Sequence, residues 1–79
     1  MLITGFQLAA ARALVGMDQT KLAELSGTHV NTIRLMEAAK AGRIGGRLST
    51  IQAVQAALEA KGVEFLNSSA PGVRMKSRP

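Results

Sequence analysis

The chain has 79 residues, of which 47% are apolar, and it contains two Phe, no Trp, no Tyr, no Cys and one His. This length allows one domain with a small core, and the shortage of aromatic residues favours helices packed through aliphatic side chains. The absence of Cys excludes disulfides and thiolate metal sites, and one His cannot form a metal site by itself. We therefore expect a single, mainly α domain over residues 1–79, without metal or cofactor.

The formal net charge is +5, with ten Lys and Arg against five Asp and Glu, and most of the basic residues lie in the second half. This excess predicts an acidic partner, of which nucleic acid is the first candidate. No apolar run approaches the roughly 20 residues that a membrane-spanning helix needs. We expect no membrane segment and a cytoplasmic location, which also suits a chain without Cys.

The first predicted element is a helix over residues 5–15. Thr4 and Gln7 have the spacing of a capping box, in which each side chain accepts a hydrogen bond from the other's backbone amide. Gly16 is expected to end the helix. Polar residues interrupt the apolar run at the start of the chain, so we expect a helix of the domain and not a secretion signal. The predicted buried stripe consists of Leu8, Ala11, Leu14 and Val15.

Two short helices joined by a tight turn are predicted over residues 19–38. Asp18 is a suitable N-cap for the first of them, and Gly27 allows the left-handed conformation in which helices commonly end. Ala23 is small, as required where two helices cross closely. The second helix is expected to run from about residue 30 to 39. The positions expected to face a shared core are Leu22, Ala23, Leu25, Ile33 and Met36.

This stretch resembles the helix-turn-helix of the Cro/repressor (XRE-like) family of DNA-binding proteins. The resemblance extends over about residues 4–61 and implies a mainly α, lambda-repressor-like domain of about four helices. Thr28 and His29 depart from the family, which usually has an aliphatic residue and a Ser or Thr cap at these positions. The matching residues, at the family's spacing, are Arg12, Gln19, Ala23, Gly27, Ile33, Met36 and Glu37.

The resemblance also implies roles for individual residues. Arg12 is expected to pair with Glu37 and so connect the first helix to the third. Gln19, in the first turn of its helix with its amide free to face outward, is expected to contact a DNA phosphate. A solvated Arg12 and a neutral surface Gln19 are the alternatives.

The outward side of the third helix carries residue types that can read DNA bases. Asn31 can form a bidentate contact with adenine, and Arg34 can do so with guanine or bind phosphate. Val30 and Leu35 can touch thymine methyl groups, and His29 is expected to cap the helix or contact DNA. The complete predicted set of DNA-binding residues is Gln19, His29, Val30, Asn31, Thr32, Arg34, Leu35, Lys40, Arg43 and Arg47.

Residues 38–48 read AAKAGRIGGRL and predict a flexible loop. Lys40, Arg43 and Arg47 supply positive charge there, and the glycine backbone can approach phosphates closely. A nucleotide-binding turn is the alternative, but the G-x-x-x-x-G-K-[ST] pattern is absent and no predicted strand precedes the loop.

The last predicted elements are a fourth helix and a β-hairpin. Ser49 and Gln52 have capping-box spacing and predict a helix over residues 49–61. The apolar period then changes to that of strands, which predicts a short C-terminal hairpin over about residues 63–76. Because a two-stranded hairpin is marginal alone, it is expected to pack on the helices or to pair with a second subunit. The residues expected to pack are Phe65, Val73 and Met75. The final KSRP is expected to be a basic tail.

The function expected from these observations is sequence-specific binding of double-stranded DNA by a transcriptional regulator. We expect a repressor or autoregulator that binds an inverted repeat as a homodimer. An antitoxin-like or antiactivator-like module that binds a protein partner through the hairpin is the alternative, and an architectural DNA-binding protein without sequence preference is a third. An enzyme is not expected, because no nucleophile or paired carboxylate accompanies the single His.

Overall fold

The computed structural model describes residues 1–76 as four helices followed by a two-stranded antiparallel sheet. The predictions of a mainly α chain and a C-terminal hairpin are therefore confirmed. Most of the predicted basic tail, residues 77–79, lies outside the described residues. The elements are α1 (Gly5–Val15), α2 (Gln19–Ser26), α3 (Val30–Glu37), α4 (Leu48–Glu59), β1 (Val63–Leu66) and β2 (Gly72–Met75).

The ends of α1 and α2 have the caps that their sequences predict. The Thr4 hydroxyl accepts a hydrogen bond from the Gln7 amide at 3.1 Å, and the Gln7 side chain accepts one from the Thr4 amide at 2.9 Å. Asp18 caps α2 by accepting from the Lys21 amide at 2.7 Å. Gly27 ends α2 with φ of 65°, a left-handed conformation that a Cβ would penalise. A three-residue turn then leads directly into α3.

Helix α3 ends at Glu37, earlier than the predicted residue 39, because the chain turns sharply at Lys40. Lys40 has φ of 53°, which a helix cannot contain. Its amide donates to the Glu37 carbonyl at 3.1 Å, and its carbonyl accepts from the Phe6 amide at 2.8 Å. The contact with the start of α1 therefore takes the place of another helical turn.

Helix α4 differs from its prediction at both ends, since it covers residues 48–59 and not 49–61. The predicted capping box of Ser49 and Gln52 is wrong, because Arg47 is the N-cap and supplies no side-chain hydrogen bond. Ser49 already lies inside the first turn, where its hydroxyl cannot act as the cap. At the other end the chain turns at Gly62, whose φ of 97° suits glycine.

One apolar core lies between the helices and the sheet, but it excludes two of the predicted positions. Leu14 is 46% exposed and Leu25 is 44% exposed. In α1 the covered side continues from Ala11 to Val15, and in α2 it continues to Ser26. The core residues are Leu2, Leu8, Ala11, Met17, Leu22, Ala23, Ile33, Met36, Ile44, Ile51, Val54, Leu58, Val63 and Phe65.

The hairpin packs on the helices through only some of the predicted side chains. Phe65 is buried, and Val73, its partner across the sheet, packs against the core. Met75 is 43% exposed, so its predicted packing on the helices is wrong. No helix within residues 1–76 has both the length and the apolar composition needed to cross a membrane.

A buried side chain attaches the hairpin to the start of α1. Gln7 is 3% exposed, and its side-chain nitrogen, Nε2, lies within hydrogen-bonding distance of three acceptors near the hairpin. These are the Leu66 carbonyl at 3.2 Å, the Asn67 side-chain oxygen at 3.0 Å and the Gly72 carbonyl at 3.2 Å. The Gln7 side chain, which completes the capping box of α1, therefore also holds the two ends of the loop between β1 and β2.

Candidate nucleic-acid interface

Helix α3 has one buried side and one exposed side. Ile33 is completely covered and Met36 is 4% exposed. Leu35, between them along the chain, is 74% exposed, and Asn31 and Arg34 are exposed as well. The predicted outward residues therefore lie outward, on a helix whose other side is fixed in the core.

His29 is the N-cap that sets the start of α3. The His29 Nδ1 accepts a hydrogen bond from the Asn31 amide at 3.0 Å, and the His29 backbone is extended, as an N-cap requires. The ring is exposed, so only Nε2 remains for a contact outside the chain. Val30, another predicted DNA contact, is half-buried and packs against the core. Less of its side chain is therefore exposed than of Leu35.

The end of α3 is joined to α1 by an ion pair with two hydrogen bonds. The Arg12 Nε donates to Glu37 Oε2 at 2.6 Å, and Arg12 Nη2 donates to Glu37 Oε1 at 2.9 Å. The two side chains are only 20% and 12% exposed. The remaining guanidinium nitrogen, Arg12 Nη1, donates to the Met17 carbonyl at 3.0 Å. The hydrogen bond with Glu37 raises the pKa of Arg12 further above its already high ordinary value.

Gln19 does not extend freely outward as the sequence predicted. Its side-chain nitrogen donates to Glu37 Oε1 at 3.2 Å, and the residue is half-buried. The expectation of a free amide is therefore wrong, because the Glu37 carboxylate already accepts from it. A phosphate contact by Gln19 would have to share or replace this hydrogen bond.

A close approach between α1 and α3 involves a glycine, Gly5, that sequence reasoning missed. A Cβ on Gly5 would lie 2.7 Å from the carbonyl oxygens of Met36 and Glu37 and 2.7 Å from the Lys40 nitrogen. Only glycine allows the two backbones to come this close. The available signal was a glycine in the first turn of a helix, where the helical conformation itself does not require one.

The glycine-rich loop after α3 is attached to the N-terminal segment through its own backbone. Ile44 is 8% exposed, and its amide donates to the Ile3 carbonyl at 2.8 Å. Thr4 and Arg43 form an isolated antiparallel bridge next to it. The buried Ile44, which sequence reasoning also missed, thus fixes the middle of the loop.

A shallow open groove of about 320 Å³ brings this loop beside the exposed side of α3. It is lined by Thr32, Leu35, Met36, Gly45 and Gly46. The two glycines lie in the chain between Arg43 and Arg47, both of which are exposed. The groove therefore places the glycine backbone of the loop beside Thr32 and Leu35, while Lys40, Arg43 and Arg47 are not among its lining residues.

The charge of α3 and the loop that follows it is almost entirely positive. Residues 29–48 contain four Lys and Arg and one carboxylate, Glu37. Because Glu37 is paired with Arg12, it does not offset the exposed cations. The exposed basic residues of the segment are Arg34, Lys40, Arg43 and Arg47. Exposed cations with so few carboxylates in the same segment attract a polyanion.

The described part of the chain contains no group of three or more His, Asp or Glu that could hold a metal ion. A scan against protein-family models matches no family, and a search of curated proteins gives no match. The exposed helix side, the neighbouring loop and their charge are therefore the features from which a function has to be inferred.

Proposed function

We propose that this chain is a sequence-specific regulator that binds double-stranded DNA through the exposed side of α3. The contrast between the buried Ile33 and the 74% exposed Leu35 is the observation that carries the proposal. A helix supported on one side and free on the other can enter the major groove, whose width admits one α-helix. Asn31 and Arg34 supply hydrogen-bond donors on that side, and Leu35 supplies an apolar contact for thymine methyl groups.

We assign α2, the turn at residues 27–29 and α3 as a helix-turn-helix of the Cro/repressor type. The assignment is supported by the 6% exposure of Ala23 between the helices and by the left-handed Gly27 that separates them. The pair of Arg12 and Glu37, which the resemblance implies, gives further support. In this arrangement α3 is the recognition helix and α2 supports it.

The glycine-rich loop is the proposed phosphate-binding element. Lys40, Arg43 and Arg47 are exposed on it, while Ile44 holds its middle against the N-terminal segment. Phosphate contacts fix the register of a protein on DNA without reading sequence. The loop therefore contributes affinity, and α3 contributes selectivity.

We further propose that the protein binds an inverted repeat as a homodimer, with half-sites roughly 34 Å apart, and acts as a repressor or autoregulator at a promoter. An open groove of about 350 Å³ between α1 and β2 is a candidate dimer surface. Phe6, 57% exposed, lies at this groove with the apolar Ala10, Pro71 and Val73. A two-fold axis would let each Phe6 fill the groove of the other copy.

A mobility-shift assay with a selected operator tests DNA binding. Operator fragments come from enrichment of randomised duplexes, and a scrambled duplex of equal length is the control. The specific complex should be at least about 1000-fold tighter than the scrambled one, and its affinity should fall steeply between 50 and 200 mM salt. Equal, weak binding to both duplexes without salt dependence would reject the proposal.

Protein binding through the same α1–β2 groove is the second candidate function, favoured by the exposed Phe6 that lines it. Sedimentation analysis of Phe6→Ser separates this candidate from the dimer. If the groove is a dimer surface, the wild-type chain is a dimer and the variant is a monomer with the same helical content. A wild-type monomer that binds no operator would favour the protein-binding module.

A further inference from the structure

Two exposed residues on α3 are joined to one another by a hydrogen bond. Arg34 Nη1 donates to Asn31 Oδ1 at 2.9 Å, across the i, i+3 spacing at which helix side chains are neighbours. Both residues are exposed. Because guanidinium can only donate, the Asn31 atom that faces it has to be the carbonyl oxygen and not the amide nitrogen.

This hydrogen bond directs the Arg34 side chain toward the outermost part of α3. With about 100° of rotation per residue, Arg34 lies about 100° from the buried Ile33, on the flank of the helix. Asn31 lies about 160° from Ile33, close to the direction that points away from the core. A guanidinium held by Asn31 is therefore drawn from the flank toward the side that would face the base pairs.

The pair changes which base the two residues are suited to read. With Asn31 Oδ1 accepting from Arg34, the groups left for an outside partner are the Asn31 amide hydrogens, the free guanidinium N–H groups and one remaining lone pair of Oδ1. Most of these groups are donors. Guanine offers two acceptors, N7 and O6, in the major groove, whereas adenine offers one acceptor and one donor. A bidentate contact of Asn31 with adenine would have to share the Oδ1 atom that already accepts from Arg34.

We infer that Arg34 reads a guanine in each DNA half-site and that Asn31 is the positioning residue that holds its guanidinium in place. The inference rests on the proposed function, since it names the base that the recognition helix selects. It assigns Asn31 to guanine readout through Arg34 and not to direct adenine readout.

Enrichment of randomised duplexes by wild-type protein, followed by sequencing, gives the preferred base at each position. The same experiment is then run with Asn31→Ala, Asn31→Asp, Arg34→Ala and Arg43→Ala. We expect one guanine per half-site, with preference over the other bases of about tenfold, to be lost with Arg34→Ala. Asn31→Ala should weaken the preference at that same position, and Asn31→Asp should restore it because a carboxylate also accepts from Arg34.

Arg43→Ala is the matched control, because it removes the same charge from the loop. It should lower the affinity for all duplexes and leave the guanine preference unchanged. Thermal unfolding of the five proteins should agree closely, since all the altered side chains are exposed. This agreement would separate effects on readout from effects on folding.

An enriched adenine that disappears with Asn31→Ala but survives Arg34→Ala would overturn the inference while leaving the proposed function intact. A guanine that depends on Arg34 but is unchanged in Asn31→Ala would overturn the role of Asn31. If wild-type protein enriches no sequence at all, the inference and the proposed function both fail.

Discussion

The inner and outer sides of α3 differ in how their residues are held. On the inner side, Ile33 and Met36 are covered by the core, and Glu37 is hydrogen-bonded by Arg12. On the outer side, Leu35 is 74% exposed, and Asn31 and Arg34 are hydrogen-bonded to each other. The inner side therefore determines where α3 lies, and the outer side is free to contact another molecule.

This difference implies that stability and the proposed DNA binding can be changed separately. Substitutions on the inner side should lower the free energy of unfolding, because they disturb packed or paired groups. Substitutions on the outer side should leave unfolding almost unchanged and alter affinity or base preference. The following variants measure how complete the separation is, from the largest expected effect on stability to the smallest.

Ile33→Ala should cause the largest loss of unfolding free energy. It removes a completely buried side chain from the centre of the core, and such changes cost about 2–5 kcal/mol of unfolding free energy. Leu35→Ala, two positions along the same helix, is the control and should stay within about 0.5 kcal/mol of wild type. Chemical denaturation measures both. Similar losses for the two variants would mean that the outer side is packed as well.

Arg12→Met should destabilise by about 2 kcal/mol, because it leaves the mostly covered Glu37 carboxylate without its cation. The value lies below the range for fully buried pairs, since both side chains retain some exposure. The double variant Arg12→Met with Glu37→Met removes the uncompensated charge and should be more stable than the single variant. A single variant as stable as wild type would show that the pair does not hold α1 to α3.

Gly5→Ala should cost about 1.5 kcal/mol, because its Cβ would meet three backbone atoms at 2.7 Å and α1 would have to move from α3. Gly45→Ala is the matched control, since Gly45 has no neighbouring atom within 4 Å of an added Cβ and no positive φ. Thermal unfolding should separate the two variants clearly. If they melt together, the close approach of α1 and α3 is not needed for stability.

The smallest effect on stability is expected at the exposed ion pair of the hairpin, Glu64 and Arg74. This pair contrasts with the mostly covered pair of Arg12 and Glu37. Arg74 Nε donates to Glu64 Oε1 at 2.6 Å, and this hydrogen bond lowers the pKa of Glu64. The stabilisation is therefore present above the ordinary glutamate pKa and is lost as pH falls through the lowered value. Glu64→Gln should melt slightly below wild type at pH 7 and together with it in strong acid. A lower melting temperature of the variant that persists in strong acid would show that the ionised Glu64 is not the source of the stabilisation.

The parts of the fold that could be predicted from sequence depend on interactions between near neighbours. The caps formed by Thr4, Gln7 and Asp18 join residues three positions apart, and Gly27 acts through its own φ. These interactions set the ends of α1 and α2 correctly. The apparent capping box at Ser49 failed because α4 begins one residue earlier, at Leu48.

The parts that could not be predicted depend on contacts between distant residues. Gly5 is required only because α3 and Lys40 lie against it, and Ile44 is buried only because the loop returns to Ile3. Nothing in the local pattern around either residue indicates these contacts. The second role of Gln7, toward the hairpin, joins residues about 60 positions apart.

The candidate interface shows the same division. Helical periodicity was sufficient to place Leu35, Asn31 and Arg34 on the exposed side of α3. Periodicity did not show that Arg34 donates a hydrogen bond to Asn31, although their i, i+3 spacing permits it. The sequence also predicted, wrongly, that the side-chain amide of Gln19 is free. The Glu37 carboxylate that accepts from it lies next to α2 only because three helices pack together.

The most direct test of the outer side of α3 as the DNA-binding surface is a nuclear magnetic resonance titration of the full chain with its selected operator. Backbone amide shifts are followed from free protein to saturation, at a salt concentration that keeps the complex specific. The account predicts the largest changes at residues 30–35 and in the loop at residues 40–47. Largest changes in the hairpin, with residues 30–35 unaffected, would contradict it.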